Sequence, residues 1–164
     1  MRILSVASSA RLLTAFLTAT VLLMLPASLI PQDHPDQPDH HDDNYPPPSH
    51  RFDGQWLTTV SCEPSRGALG FSYQFTSVVT HGYFDGLHGT DGQPGFLHIK
   101  GPIFDDGTGK LYANGMTGSK EFVPGTDTPR GTEFGYHINS HFDKHHGEGT
   151  RVEGRACILE FEKQ

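Results

Sequence analysis

Short runs in which hydrophobic and polar residues alternate fill the chain from Phe52 onward. Because successive side chains of a strand point to opposite faces, this period of two predicts β-strands that are buried on one face. In the run from Gly54 to Cys62, Trp56 and Val60 share the predicted inner face with Cys62. The plainest alternation places four hydrophobic residues on one face, namely Leu69, Phe71, Tyr73 and Phe75.

Five more segments have a similar pattern and are separated by glycine-rich turns. We expect strands at Val78 to Phe84, Phe96 to Ile103, Lys110 to Met116, Thr132 to Phe142, and Arg151 to Glu162. The intervening segments DGLHGTDGQPG, DDGTG and DKHHGEG contain the Asp-Gly and Pro-Gly pairs of tight turns. No stretch in this region has a helical period. The pattern therefore predicts an all-β domain of seven or eight antiparallel strands, as a meandering barrel, a flattened barrel or a two-sheet sandwich.

The two cysteines favour the barrel. Cys62 ends the first predicted strand and Cys157 lies in the last, so a bond between them would make those strands neighbours. First and last strands become neighbours when a sheet closes on itself, which also removes its edges. In an exported protein two cysteines placed in this way are expected to pair. We therefore predict a small barrel with a Cys62–Cys157 disulfide, with two free buried thiols as the alternative.

The residues before the barrel domain fall into two segments, an apolar one and a polar one rich in proline. Residues 1–30 contain Arg2 and Arg11 followed by an uncharged apolar run to Ile30, which indicates a signal peptide or an uncleaved signal anchor. In either case the positive flank predicts that the rest of the chain lies outside the cytoplasm, in the periplasm or secreted, and meets a membrane only if the segment stays uncleaved. Residues 31–51 are rich in His, Asp and Pro and are predicted to be a disordered linker, with the barrel domain at 52–164.

Composition narrows the choice of partners. The chain of 164 residues has 19 Gly, 12 Pro and a net charge of −7, which is typical of a single domain that turns often. An acidic chain without a basic stripe is a poor ligand for phosphate backbones, so nucleic acid is not an expected partner. Ser61 lacks a nucleophile elbow, and Asp105-Asp106 precede Gly107 in a predicted hairpin turn. We assign no catalytic residue and no cofactor.

Metal binding is considered for two groups of histidines. The linker contains His34, His40, His41 and His50 among carboxylates, whose suitability for Zn²⁺, Ni²⁺ or Cu²⁺ is unspecific. In the barrel domain His137 and His141 share a strand face, too far apart to share an ion on a flat sheet. His141 with His145 or His146 across the next turn is the candidate metal site. The alternative is that these histidines form the solvent face of the strand.

Two resemblances bear on the domain. Its elements FDGQW, ALGFSYQF, GLHGTDGQPGFLHIKG, GKLYANGMTG and GTRVEGRACILEF recur in the same order in a group of uncharacterised secreted proteins of soil alphaproteobacteria, which the domain resembles over residues 52–163. The Gly54-x-Trp56 element at the start of the first strand resembles the barrel openings of lipocalins and avidins. The lipocalin resemblance implies an arginine stacked on Trp56, for which Arg151 and Arg155 are the candidates.

The sequence thus predicts an exported, non-catalytic binding or interaction module. Trp56, Phe71, Tyr73 and Phe75 are the candidates to line a site for a small apolar ligand or to fill the barrel as its core. The alternatives are a barrel that binds or inhibits an envelope protein and a His-dependent metal-binding protein. An interior cavity of a few hundred Å³ would favour a ligand, and a packed core would favour a protein partner.

Overall fold

The computed structural model describes residues 45–125 and 127–164; the predicted export segment and most of the predicted linker lie outside these residues. Eight strands follow in order: β1 (Gly54–Cys62), β2 (Phe71–Thr80), β3 (Tyr83–His88), β4 (Leu97–Pro102), β5 (Thr108–Met116), β6 (Glu133–Phe142), β7 (His146–Arg151) and β8 (Cys157–Lys163). Short 3₁₀ turns lie at His50–Phe52 and Lys120–Phe122. In the described part of the chain, no helix is both long and apolar enough to cross a membrane.

The strands form one closed barrel in which each strand is antiparallel to its neighbours in sequence and β8 pairs with β1. Cys62 and Cys157 face each other across this closing pair and form a disulfide. The predicted all-β barrel and the predicted bond between its first and last strands are both confirmed. Of the architectures considered, the structure is the meandering barrel with eight strands.

Alternation of buried and exposed residues explains how the strands are oriented. In β1 every second residue from Trp56 to Cys62 is buried, including Thr58, whose hydroxyl hydrogen-bonds that of Ser77 on β2 at 2.6 Å. In β2 the inner face runs from Phe71 at one end to Val79 at the other. Leu69 does not join that face, since it precedes the strand and is 57% exposed.

Three predicted strand boundaries were wrong. The run Val78 to Phe84 is divided by a tight turn at His81 and Gly82, both of which have positive φ angles. The segment DKHHGEG was predicted as a turn, but β7 begins at His146 within it. The predicted strand from Arg151 to Glu162 contains a loop at 152–156, because β7 and β8 form a hairpin there.

One end of the barrel is filled by aromatic side chains. Phe84, Phe142 and Phe161 pack against one another here, with ring centroids 4.8 to 6.2 Å apart. The Trp56 ring meets Phe142 edge-on at 5.4 Å. Space for these rings comes from a glycine on the inner face of β7, because a Cβ at Gly147 would lie 2.6 Å from the Phe142 ring. We call this the closed end.

The chain before β1 covers the closed end. Phe52 is 1% exposed, and its carbonyl accepts a hydrogen bond from the Trp56 indole N–H at 3.0 Å. Tyr45 stacks on Phe104 with ring centroids 5.4 Å apart, and Ser49 donates its backbone N–H to the Ile103 carbonyl. Residues 45–51, assigned above to the linker, therefore lie against the barrel.

Candidate functional site

The opposite end of the barrel is open and contains a cavity of about 770 Å³. Four loops surround its mouth, at 63–70, 89–96, 117–132 and 152–156, whereas the closed end has only short turns. The cavity walls are mostly apolar and include five aromatic rings, those of Phe71, Tyr73, Phe96, Phe122 and Phe134. The volume is within the range of about 300 to 1,000 Å³ found for small-molecule sites.

Two strands provide the aromatic walls. On β2 the rings of Phe71 and Tyr73 stack with centroids 5.6 Å apart, and on β6 Phe134 stacks on Tyr136 at 6.1 Å. These pairs follow from the alternation of residues in each strand, which sends every second side chain inward. Phe122, from the 3₁₀ turn in the 117–132 loop, meets Phe71 edge-on at 5.9 Å and narrows the mouth.

The four candidate aromatic residues divide between the two ends. Phe71 and Tyr73 line the cavity. Phe75 lies one step deeper on β2, is 9% exposed and belongs to the core. Trp56 is fully buried at the closed end and does not reach the cavity. The alternation of hydrophobic and polar residues correctly places all four side chains on the inner face of the barrel. It does not indicate which end of the barrel is open.

Two phenol groups lie deeper on the inner face. Burial raises the pKa of Tyr73 well above its usual range, and burial also raises the pKa of Tyr136, to about 12. Both phenols are therefore neutral at physiological pH and able to donate a hydrogen bond. Neither hydroxyl has a hydrogen-bond partner among the described residues. Because every fully buried side-chain oxygen in that part of the chain does have a partner, these two hydroxyl oxygens must retain some exposed surface.

His88 supports Tyr73 from one side. The imidazole stacks on the Tyr73 ring with centroids 4.1 Å apart and lies 5.8 Å from Phe75. Burial lowers the pKa of His88, which favours the neutral ring against these aromatic neighbours.

Arg155 joins the loops around the mouth. The residue is 7% exposed, and its guanidinium donates to the carbonyls of Glu63 at 2.7 Å, Phe122 at 2.8 Å and Leu69. These acceptors belong to two different loops, and the guanidinium carbon also lies 4.9 Å from the centre of the Phe71 ring. One side chain of the 152–156 loop thus holds the 63–70 and 117–132 loops in place.

Arg151 ends β7 on the inner face of the barrel. Its guanidinium carbon lies 4.0 Å from the centre of the Tyr136 ring, and its Nε–H donates to the Glu153 carbonyl. The absence of a side chain at Gly154 leaves room for this guanidinium, since a Cβ on Gly154 would lie 3.1 Å from an Arg151 terminal nitrogen. Together with Arg66, Arg151 and Arg155 line a cavity whose walls are otherwise mainly aromatic and aliphatic.

The expected stacking of an arginine on Trp56 is wrong. Arg151 and Arg155 lie at the open end, on Tyr136 and Phe71, while Trp56 is at the closed end. Lys163 lies over the Trp56 ring instead, because it is the partner of Trp56 in the β1–β8 pairing. Its Nζ lies 5.5 Å from the centre of the indole ring.

The candidate metal ligands lie on the outside of the barrel near the closed end. His141 is exposed on β6, and the backbone N–H groups of His145 and His146 both donate to Asp143 Oδ1 at 2.7 Å in the turn that follows. In residues 45–125 and 127–164, no three His, Cys, Asp or Glu side chains come together as a metal-binding group. His34, His40 and His41 lie outside the described residues, and His50 hydrogen-bonds Asp53.

Sequence reasoning missed the two arginines as cavity residues. For Arg151 a signal existed, since Gly147, Gly149 and Arg151 alternate on the inner face of β7. For Arg155 there was none, because its three carbonyl acceptors lie 33 to 92 residues away in the sequence. Phe96, Phe122 and Phe134 were missed for a related reason: a loop residue or a strand end has no clear place in an alternating pattern.

Comparisons with models of protein families, with curated protein sequences and with solved structures find no match to this chain.

Proposed function

We propose that this protein is exported from the cytoplasm and that its barrel binds a small, largely apolar molecule in the open-end cavity. The observation that carries the proposal is the cavity itself, about 770 Å³ in volume and lined by five aromatic rings. By the criterion set out from the sequence, a cavity of this size favours a small ligand over a protein partner. Binding would bury aromatic surface that now borders open space, which is favourable by about 25 cal/mol per Å².

The loops around the cavity are already held in place, which reduces the entropic cost of ordering them when a ligand binds. Arg155 joins two of the mouth loops, and the Leu69 N–H donates to the Glu121 carbonyl to join the same loops again. At the other side of the mouth the Thr117 hydroxyl donates to the Pro129 carbonyl at 2.6 Å and accepts from the Thr132 N–H at 2.9 Å. These bonds hold the long 117–132 loop beside the cavity.

Export is supported by two independent features. The apolar segment that ends at Ile30 is preceded by arginines, as in segments that direct export. The Cys62–Cys157 disulfide suits an oxidising compartment, because thiols in the cytosol are kept reduced. Both features support the proposal that the cavity meets molecules outside the cytoplasm.

Titration of the purified protein with N-phenyl-1-naphthylamine, an uncharged apolar dye that fluoresces when buried, tests the proposal. We expect saturable binding with one site per chain. The variant Phe134→Ala, which removes one aromatic wall, should weaken dye binding by roughly threefold to tenfold, since an aromatic contact contributes about 0.5 to 1.5 kcal/mol.

Tyr83→Ala is the matched control, because Tyr83 is 54% exposed on the outside of the barrel. It removes a ring of similar size and should leave the dye affinity unchanged. Absence of saturable dye binding, or an equal loss of affinity in both variants, would contradict a binding site in the cavity.

A further inference from the structure

We infer that the natural ligand is an amphipathic monocarboxylate, with its carboxylate against Arg151 and Arg155 and its apolar part in the aromatic cavity. This inference rests on the proposed ligand-binding function and specifies the chemistry of the same site. It starts from the charges at the cavity, which differ in sign from the charge of the whole chain.

The chain has a net charge of −7, yet three arginines line the cavity, Arg66, Arg151 and Arg155, against one carboxylate, Glu133. Within residues 45–125 and 127–164, none of these arginines forms an ion pair with an acidic side chain. Arg155 is nonetheless almost fully buried. A buried charge without a counter-charge is costly, and an anionic ligand would compensate it.

The hydrogen-bonding capacity of the two side chains is also incompletely used. An arginine has five N–H donors in a planar arrangement that matches a carboxylate. Arg155 gives three of its donors to backbone carbonyls, and Arg151 gives only its Nε–H, to Glu153. Six N–H groups of the pair thus have no acceptor in the described part of the chain, and the terminal nitrogens of Arg151 retain exposed surface.

The positions of these groups define the orientation of the ligand. Arg151 pairs with Ile138 in the β6–β7 register and extends its guanidinium over the Tyr136 ring, and Arg155 lies beside the Phe71 ring. The Phe134 ring lies nearer to the mouth on β6, so the aromatic wall continues from the arginines toward the opening. Burial and then the nearby charge of Arg151 lower the pKa of Arg155, so the two positive charges act on the same region. A carboxylate there relieves their repulsion, and the apolar chain lies along the rings.

Displacement of the bound dye by dodecanoate and by dodecanol tests this inference, because the two differ in the charge of the head group. Charge-assisted hydrogen bonds contribute about 1.5 to 3 kcal/mol, so we expect dodecanoate to bind at least about tenfold more tightly at neutral pH. In Arg151→Gln the ratio of the two affinities should fall close to one, and Arg151→Lys, which keeps the charge, should retain part of the preference.

Arg130→Gln is the control, because Arg130 is an exposed residue of the 117–132 loop outside the cavity. It should retain the full preference. Arg155 is left intact, since its removal would also release two loops. Three outcomes would overturn the carboxylate site even if the cavity binds the dye. These are equal affinities for the two compounds in the unmodified protein, a preference that survives Arg151→Gln, and failure of both compounds to displace a bound dye. Absence of dye binding would overturn the proposed function itself.

Discussion

Asp53 shows how one side chain connects separate parts of the closed end. Its carboxylate accepts hydrogen bonds from the backbone N–H groups of His81 at 3.1 Å and Gly82 at 2.9 Å, and it contacts His50 Nδ1 at 3.0 Å. The segment before β1 and the β2–β3 turn are thereby held together. Gly82 is needed at this junction, because a Cβ there would lie 2.5 Å from the Ser49 nitrogen.

These contacts predict a dependence of stability on pH. Burial raises the pKa of Asp53, but the hydrogen bonds from Gly82, His50 and His81 outweigh it, and the pKa is lowered overall. A carboxyl whose pKa is depressed by folding stabilises the protein above its unfolded pKa of about 4 and loses that contribution as the pH falls through the folded pKa. Asp53→Ala should therefore reduce the free energy of unfolding by about 0.5 to 1.5 kcal/mol at pH 7, measured by urea unfolding, because solvent weakens the contacts of this partly exposed carboxylate.

The difference between Asp53→Ala and the unmodified protein should shrink when the same measurement is made below pH 4. Asp91→Ala, at an exposed position in the 89–96 loop, removes a carboxylate without these contacts and should have little effect. A constant difference from pH 7 down to pH 3 would show that the Asp53 charge does not stabilise the fold.

At the scale of strands, the closing pair β1–β8 is held by both backbone hydrogen bonds and the disulfide. Cys62 and Cys157 lie at the open end of this pair, where both belong to the hydrophobic core. Their separation of 95 residues makes the bond effective in the chain-entropy account, which gives up to about 4 to 5 kcal/mol for a loop of this length.

Removal of the bond should therefore be strongly destabilising. In the double variant Cys62→Ser, Cys157→Ser we expect the free energy of unfolding to fall by about 2 to 5 kcal/mol. Reductant should lower the stability of the unmodified protein and leave the double variant unaffected. Protein recovered from producing cells should contain no free thiol, as export predicts. Free thiols in that protein, or equal stability of both proteins, would contradict these expectations.

The strands also show what the sequence could predict. The inner faces of β1, β2 and β6 follow from strict alternation, and the bond between the first and last strands follows from where the cysteines fall. The turn at His81 was hidden because a non-glycine residue takes a positive φ of 54° there, between the apolar residues at the two ends of the run from Val78 to Phe84. The first part of β7 was taken for a turn because Gly147, which makes room for the Phe142 ring, and Gly149 resemble turn residues.

At the scale of the whole molecule, the two ends of the barrel differ in composition: one end is a packed core and the other contains the cavity. The closed end contains Trp56 and tightly packed phenylalanines, and it accounts for much of the hydrophobic core. The open end contains stacked aromatic rings and three arginines around open space. This polarity could not be predicted from the strand pattern, because it depends on which loops are long and on contacts between residues far apart in sequence.

The claim that the open end is the binding site is tested most directly by amide chemical shifts, recorded for the isotope-labelled protein with and without N-phenyl-1-naphthylamine. Our account predicts that the largest changes occur at the cavity, at Phe71, Tyr73, Phe134 and Gly154, and that the amides of Phe84 and Phe161 at the closed end change little. Changes concentrated on the outer face of the barrel, or no changes at a saturating dye concentration, would contradict it.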